Sequence, residues 1–137
     1  MIDQDIFFNG LKSEGKRMEF LWVALGGAAG AMGRYGISLF PSKTVFPFLT
    51  LFTNIAGAIL IRFIVGFVST GDNVSRNAVL FWKTGVCGGF TTFSTFSLEA
   101  WELLESRLYI QGGVYIALSV MFCILGVVCG KKLALLR

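Results

Sequence analysis

An all-α integral membrane protein of four transmembrane helices, the third broken at mid-membrane, is the fold class this chain predicts. Three observations lead there. The chain is 55% hydrophobic and only 15% charged, with a mean hydropathy of +0.72, whereas soluble domains carry roughly 25% charged residues. Its apolar residues gather into four stretches long enough to cross a bilayer, which takes about 20 residues at ~1.5 Å each. Within the third stretch, residues 85–96 read Gly-Val-Cys-Gly-Gly-Phe-Thr-Thr-Phe-Ser-Thr-Phe. Paired glycines and paired threonines weaken a helix just where a bilayer helix should be continuous. Such a break is tolerated only where the freed backbone is buried in protein or lines a cavity.

The elements follow in order. Residues 1–17 mix Asp3, Asp5, Lys12, Glu14, Lys16 and Arg17 with Ile6-Phe7-Phe8. They read as an interfacial amphipathic helix or a disordered extension, ahead of a four-helix domain over residues 18–137. No cleavage-type site follows a short apolar core, so this is not a signal-peptide pattern. Met18 is an alternative start. The first span covers Phe20 to Phe40. Its Gly26 and Gly30 form a small-xxx-small pair that lets another helix approach closely. This glycine-rich run is not a phosphate loop, because no Lys-Ser/Thr follows it and no strand precedes it. Pro41 and Pro47 bracket a short turn. The second span covers Phe46 to Thr70, and Gly71-Asp72-Asn73 opens the next connection. The third covers Ala78 to Leu98, with room for helix as far as Glu105. Ser106-Arg107 is a very short link to the last span, Tyr109 to Cys129, which has no charge.

Composition excludes several functions. There is no histidine, and Cys87, Cys123 and Cys129 all lie in apolar segments without a C-x-x-C pair. Neither zinc ligation nor a disulfide framework is indicated. The net charge is +4, but the basic residues form no aromatic-interleaved patch, so nucleic acid is not a partner. They sit instead between and after apolar segments, where membrane proteins place them. Glu99, Glu102 and Glu105 are three apart and share one helical face. They read as a solvated helix end; as a carboxylate cluster they would lack any nucleophile or histidine partner. An enzyme is therefore not the expectation.

Three spans carry a basic residue. Arg62 and Lys83 fit snorkelling towards the interface. Arg34, followed by Tyr35-Gly36, fits either snorkelling or the lining of an anion entrance. Four spans put both termini on one side of the membrane. Lys12, Lys16, Arg17, Arg62, Arg76, Lys83, Lys131, Lys132 and Arg137 lie on that side, nine basic residues against Arg34, Lys43 and Arg107 on the other. The positive-inside rule then favours cytoplasmic termini.

Few uncharged polar groups sit deep in the spans. Asn54 reads either as interhelical glue or as a donor to a permeating ion. Tyr115, Ser119 and Cys123 are four apart and form one stripe; Ser119 reads either as back-bonded to its own helix or as part of a polar path. Phe93 and Phe96 are three apart and share a face, with Ser94 and Thr95 between them. These groups suit a narrow anion path of aromatic edges, amide N–H and hydroxyl groups, since the positive edge of a phenyl ring can face an anion. The mid-span polar set contains no carboxylate. Four helices can hardly enclose a pore alone, so an oligomer is expected. The broken helix can also turn carbonyl oxygens inward for a hard cation such as sodium.

Residues 85–97, Gly-Val-Cys-Gly-Gly-Phe-Thr-Thr-Phe-Ser-Thr-Phe-Ser, closely resemble the signature of the CrcB/Fluc fluoride channels. Gly26-Gly-Ala-Ala-Gly30-Ala with Arg34-Tyr35 looks like that family's first helix, and Thr50-Leu-Phe-Thr-Asn54-Ile-Ala-Gly57 is similar to its second. The resemblance covers about Met18 to the last span. It implies an antiparallel, dual-topology homodimer in the plasma membrane, with two fluoride pores and a structural sodium ion at the dimer centre. It further implies that Gly88 and Thr91 give backbone carbonyls to sodium, that Phe93 and Phe96 line the pores, and that Asn54 donates its amide to fluoride. Tyr115 and Ser119 fall where the fourth helix contributes polar groups, and Ser94 and Thr95 match hydroxyls beside the aromatics. Glu99 matches an acidic position after the break, and Cys123 stands where some members carry a hydroxyl. The function implied is passive export of cytoplasmic fluoride, which relieves its toxicity. The alternative is a small proton-coupled multidrug exporter, also a four-span dual-topology dimer. That mechanism wants an acid deep in the first span, where this chain has only Glu19, at the entrance.

Overall fold

The structure, a computed structural model, describes residues 4–42, 44–70 and 74–136. It is all-helical over those residues. Helix α1 spans Gln4–Ser38 and passes through positions 17 and 18 without interruption. Helix α2 spans Phe48–Thr70. The turn expected at Gly71-Asp72-Asn73 lies outside the described residues. A helical run over residues 76–90, here α3, begins as Arg76–Val79, widens into π-helical turns over Leu80–Cys87 and closes with Gly88–Phe90. Helix α4 spans Phe93–Glu105 and α5 spans Tyr109–Leu135.

Taken singly, two of these helices are long and apolar enough to cross a membrane, over Phe48–Val68 and Tyr109–Leu135. The other two expected spans differ for physical reasons. In α1 the glycines, which are nearly neutral in transfer, and Arg34 dilute the hydropathy of an otherwise sufficient length. In the third, the helical run is divided into pieces, each too short to cross alone.

The helices associate as two tight pairs, α1 with α3 and α2 with α5, and α4 folds back onto α5. Small residues make both pairs possible. A Cβ on Gly26 would run into the Phe81 carbonyl oxygen, and one on Gly30 into that of Val86. In the second pair, a Cβ on Gly130 would meet the Ile59 carbonyl oxygen. At one end of the first pair Glu19 of α1 holds Arg76 of α3 through two contacts, Nε to Oε1 at 2.8 Å and Nη2 to Oε2 at 3.3 Å.

The buried apolar core is small: Leu51, Ala100, Leu103 and Tyr115, with Phe46, Ile55, Phe96 and Leu108 packed against it. Most large apolar side chains face outward instead, Phe20, Met32, Phe52, Ile110 and Leu125 among them. That inside-out distribution suits a bilayer, where exposed apolar surface carries no penalty, and marks a membrane protein. The α4–α5 link is a Schellman motif. Leu108 N donates to Leu103 O (2.9 Å) and Arg107 N to Leu104 O (3.0 Å), with Arg107 at φ 61°.

Candidate functional site

The site is built around two extended residues. Thr91 (φ −82°, ψ 154°) and Thr92 (φ −148°, ψ 112°) separate α3 from α4. Both ends of the interruption are capped. Thr91 donates both its N–H (3.0 Å) and its hydroxyl (2.9 Å) to Cys87 O, closing the last turn of α3. Arg34 Nε donates to Gly89 O at 3.3 Å, a cation placed against carbonyls at a helix C-terminus. Thr92 is the N-cap of α4: its hydroxyl oxygen accepts from Thr95 N at 3.1 Å and donates to Thr95 Oγ1 at 3.0 Å. This is an ordinary N-cap bond.

Asn54 reaches across from α2 and grips the interruption at two points. Its Oδ1 accepts from Thr92 N at 2.8 Å, and its Nδ2 donates to Thr92 O at 3.1 Å. The amide matches the extended backbone as a neighbouring strand would. One Nδ2 hydrogen remains, since the amide nitrogen carries two. Gly57, one turn further along α2, lies where a Cβ would clash with the Thr91 methyl. The absence of a side chain there lets α2 sit against the interruption.

A groove of about 320 Å³ runs beside these residues, bordered by Asn54, Thr91, Thr92, Phe93, Phe96, Ser119 and Cys123 with a few apolar neighbours. Phe93 and Phe96 stand 5.6 Å apart between ring centroids, inclined at 44°. Phe96 in turn packs on Tyr115 at 5.3 Å, and Tyr115 meets Phe46 edge-on at 5.5 Å. Phe93 is 79% exposed on this single chain, so the groove has one open side. Ser119 is 5% exposed, and its hydroxyl has no hydrogen-bond partner. It is therefore not back-bonded to its own helix.

Behind the aromatic pair lies a polar network. Glu99 accepts the Thr50 hydroxyl on Oε1 and the Tyr115 hydroxyl on Oε2, each at 2.7 Å. Tyr115 is fully buried. A second cavity of about 240 Å³ brings Arg34, Thr50, Thr92, Thr95 and Glu99 together.

The structure thus gathers Asn54, Thr91, Phe93, Phe96 and Ser119 in one groove and places Thr95 and Arg34 in the cavity behind it. Tyr115 stands apart, with its only hydroxyl hydrogen committed to Glu99. Ser94 is exposed and borders neither space, and Gly88 is exposed with open space where a Cβ would stand. Two roles had no sequence-level counterpart. Thr92, which joins Asn54 to α4, is one of two adjacent threonines before α4, a residue type favoured at N-caps. The Glu99–Tyr115 pair leaves no local pattern.

Residues 21–131 match the family model described as CrcB-like protein, Camphor Resistance (CrcB). The chain is 38% identical over 122 residues to the Fluoride-specific ion channel FluC of Methylocella silvestris, covering 85% of this chain and 93% of that one. It is 44% identical over 115 residues to the protein of the same name from Ruminiclostridium cellulolyticum, covering 82% and 88%. For the Clostridium perfringens protein of that name the identity is 45% over 117 residues, covering 83% and 91%. A family model spanning most of the chain, and relatives matched over nearly their full length, together show that the chain belongs to the CrcB family.

Proposed function

We propose that this chain is a fluoride-selective, passive channel of the cell membrane, crossing it several times and working as an antiparallel homodimer that releases cytoplasmic fluoride. The observation that carries this reading is the groove, in which an amide donor, a free hydroxyl and two phenyl rings converge without a carboxylate. Fluoride is small and strongly hydrated, so it needs close donors to replace lost water. The remaining Asn54 Nδ2 hydrogen and the unpartnered Ser119 hydroxyl are such donors, and the edges of Phe93 and Phe96 add a weaker positive face. The name that the relatives carry, fluoride-specific ion channel, supports the same substrate. Fluoride enters cells as the neutral weak acid and is trapped as the anion at higher internal pH. A passive pore then lets it leave down its electrochemical gradient. No carboxylate lines the groove to couple that movement to a proton gradient, and the chain acts as a channel rather than an enzyme.

The second copy follows from the open side of the groove. One chain leaves Phe93 uncovered and Ser119 unpaired, and an opposing copy would complete both walls. Gly88, with open space at its Cβ position, suits close approach of the partner near a two-fold axis. The same region fits a structural sodium ion. The carbonyls of Gly88 and Thr91 lack their ordinary helical donors, because Thr92 N is directed to Asn54 and Thr95 N to Thr92 Oγ1. Hard cations take such oxygens. Sodium bound there would supply a fixed positive charge beside the anion path.

Nothing favours the multidrug exporter. The acid at the start of the first span, Glu19, is held in its ion pair with Arg76. The deciding experiment is anion efflux from proteoliposomes loaded with fluoride or chloride. Fluoride should leave far faster than chloride; equal leakage of the two would end the channel reading.

A further inference from the structure

In a continuous helix Thr92 N–H would donate to Gly88 O, and Thr95 N–H to Thr91 O, four residues back. Here neither bond forms. Asn54 Oδ1 takes the first hydrogen at 2.8 Å and Thr92 Oγ1 takes the second at 3.1 Å. A backbone amide has one hydrogen to give, so two side-chain oxygens withdraw the natural donors from two particular carbonyls. Neighbouring carbonyls are treated differently. Cys87 O receives the Thr91 amide and hydroxyl, Gly89 O receives Arg34, and Thr92 O receives Asn54 Nδ2. The interruption is therefore not uniformly unsatisfied. It is satisfied where capping groups reach and left open at Gly88, Phe90 and Thr91; only at Gly88 and Thr91 has a side-chain oxygen taken the helical donor.

We infer that Asn54 and Thr92 are positioning residues for the cation: their side-chain oxygens hold Gly88 O and Thr91 O free to ligate it. This rests on the reading of those two carbonyls as the sodium ligands. Without the Asn54 acceptor, the Thr92 amide is free to close a helical turn onto Gly88 O. Without the Thr92 hydroxyl, the Thr95 amide is free to do the same to Thr91 O. Either change puts a hydrogen on an oxygen that the ion requires, and competition from an N–H weakens binding. Asn54 also borders the groove, so one side chain ties the anion wall to the cation site. Loss of Asn54 should then reach beyond the anion path itself.

The test is equilibrium binding of radioactive sodium to the purified full-length protein, with the thermal unfolding midpoint measured in sodium and in sodium-free buffer. Thr92→Val should weaken sodium binding at least tenfold and shrink the sodium-dependent rise in the midpoint. Thr92→Ser, which keeps the hydroxyl, should restore both. Asn54→Ala should match Thr92→Val, and Phe93→Ile, which alters only the aromatic wall, should bind sodium like the parent. A merely structural role for Thr92 or Asn54 would lower the sodium-free midpoint and leave sodium affinity alone. Should Asn54→Ala fail to fold, the Thr92 pair decides. Parent-like sodium binding by Thr92→Val and Asn54→Ala would overturn the positioning role while leaving the cation site in place. Absence of sodium binding by the parent itself would overturn the cation site and this inference with it.

Discussion

Ser119 carries a buried hydroxyl without a partner, within the uncharged stretch of the last helix. An unsatisfied buried donor costs about 1–3 kcal/mol relative to a paired one, so its presence calls for a reason. Replacing it with alanine removes the penalty along with the group. Ser119→Ala should leave thermal stability unchanged or slightly raised, while fluoride efflux falls several-fold. Efflux at the parent rate would mean that the hydroxyl does not serve the ion. Phe93 and Phe96 test a different contribution. Phe93→Ile and Phe96→Ile keep apolar volume but remove the ring edge, so each should reduce fluoride flux at least tenfold while elution on size-exclusion chromatography stays that of the parent. Phe93 is mostly exposed and its loss disturbs little packing. Phe96 also stacks on Tyr115, so its variant should lose some stability as well. Tyr115, by contrast, gives its hydrogen to Glu99 and acts here as part of the frame that holds α4 against α5.

At the scale of elements, the sequence carries local causes for both the weakened stretch and the close packing. Gly88-Gly89 followed by Thr91-Thr92 weakens a helix from within, and the structure places two extended residues at those threonines. Gly26 and Gly30 are one turn apart, and they face the backbone of α3. Gly126 and Gly130 carry the same spacing in the last span and play the same part against α2, a signal equally available from the sequence. The partners of the interruption were not legible. Asn54 meets Thr92 across 38 positions, and Tyr115 meets Glu99 across a helix reversal. No local pattern encodes which of several polar groups the tertiary fold will bring together, so Asn54 stayed open between glue and ion donor. In the structure its amide bonds the Thr92 backbone twice and retains one free hydrogen. The α4–α5 turn offers a test of the frame alone. Arg107 occupies the left-handed C′ position of its Schellman motif, where a Cβ is strained by about 1–2 kcal/mol and glycine is the usual occupant. Glycine gives back part of that through greater unfolded-state entropy. Arg107→Gly should therefore stabilise the protein by about 0.5–1 kcal/mol, seen as a higher unfolding midpoint with fluoride flux unchanged. A lower midpoint would show that the arginine side chain makes a contact worth more than the strain.

For the whole molecule, the small buried core and the outward-facing phenylalanines and leucines mean that little of the stability comes from hydrophobic burial within one chain. In a bilayer, helices associate through close packing of small residues and interhelical hydrogen bonds, which is the pattern of the α1–α3 and α2–α5 pairs. A surface still lacking such a partner is the open groove with exposed Phe93. A second copy related by a two-fold axis in the membrane plane would bring groove to groove, and that arrangement requires the two copies to insert in opposite orientations. On the four-span topology expected from the sequence, the basic residues oppose it mildly, with nine on one side and three on the other. Three of the nine precede Met18, and without them the count is six against three. The balance is therefore measurable. Ser42 is exposed in the turn between α1 and α2, and Ser42→Cys in a background with Cys87, Cys123 and Cys129 replaced gives one reactive thiol per chain. Intact cells treated with a membrane-impermeant maleimide should label about half of the chains, and permeabilised cells the remainder. Labelling of all chains, or of none, before permeabilisation would establish a single orientation. It would also exclude the antiparallel dimer, because groove could then no longer meet groove across an in-plane axis.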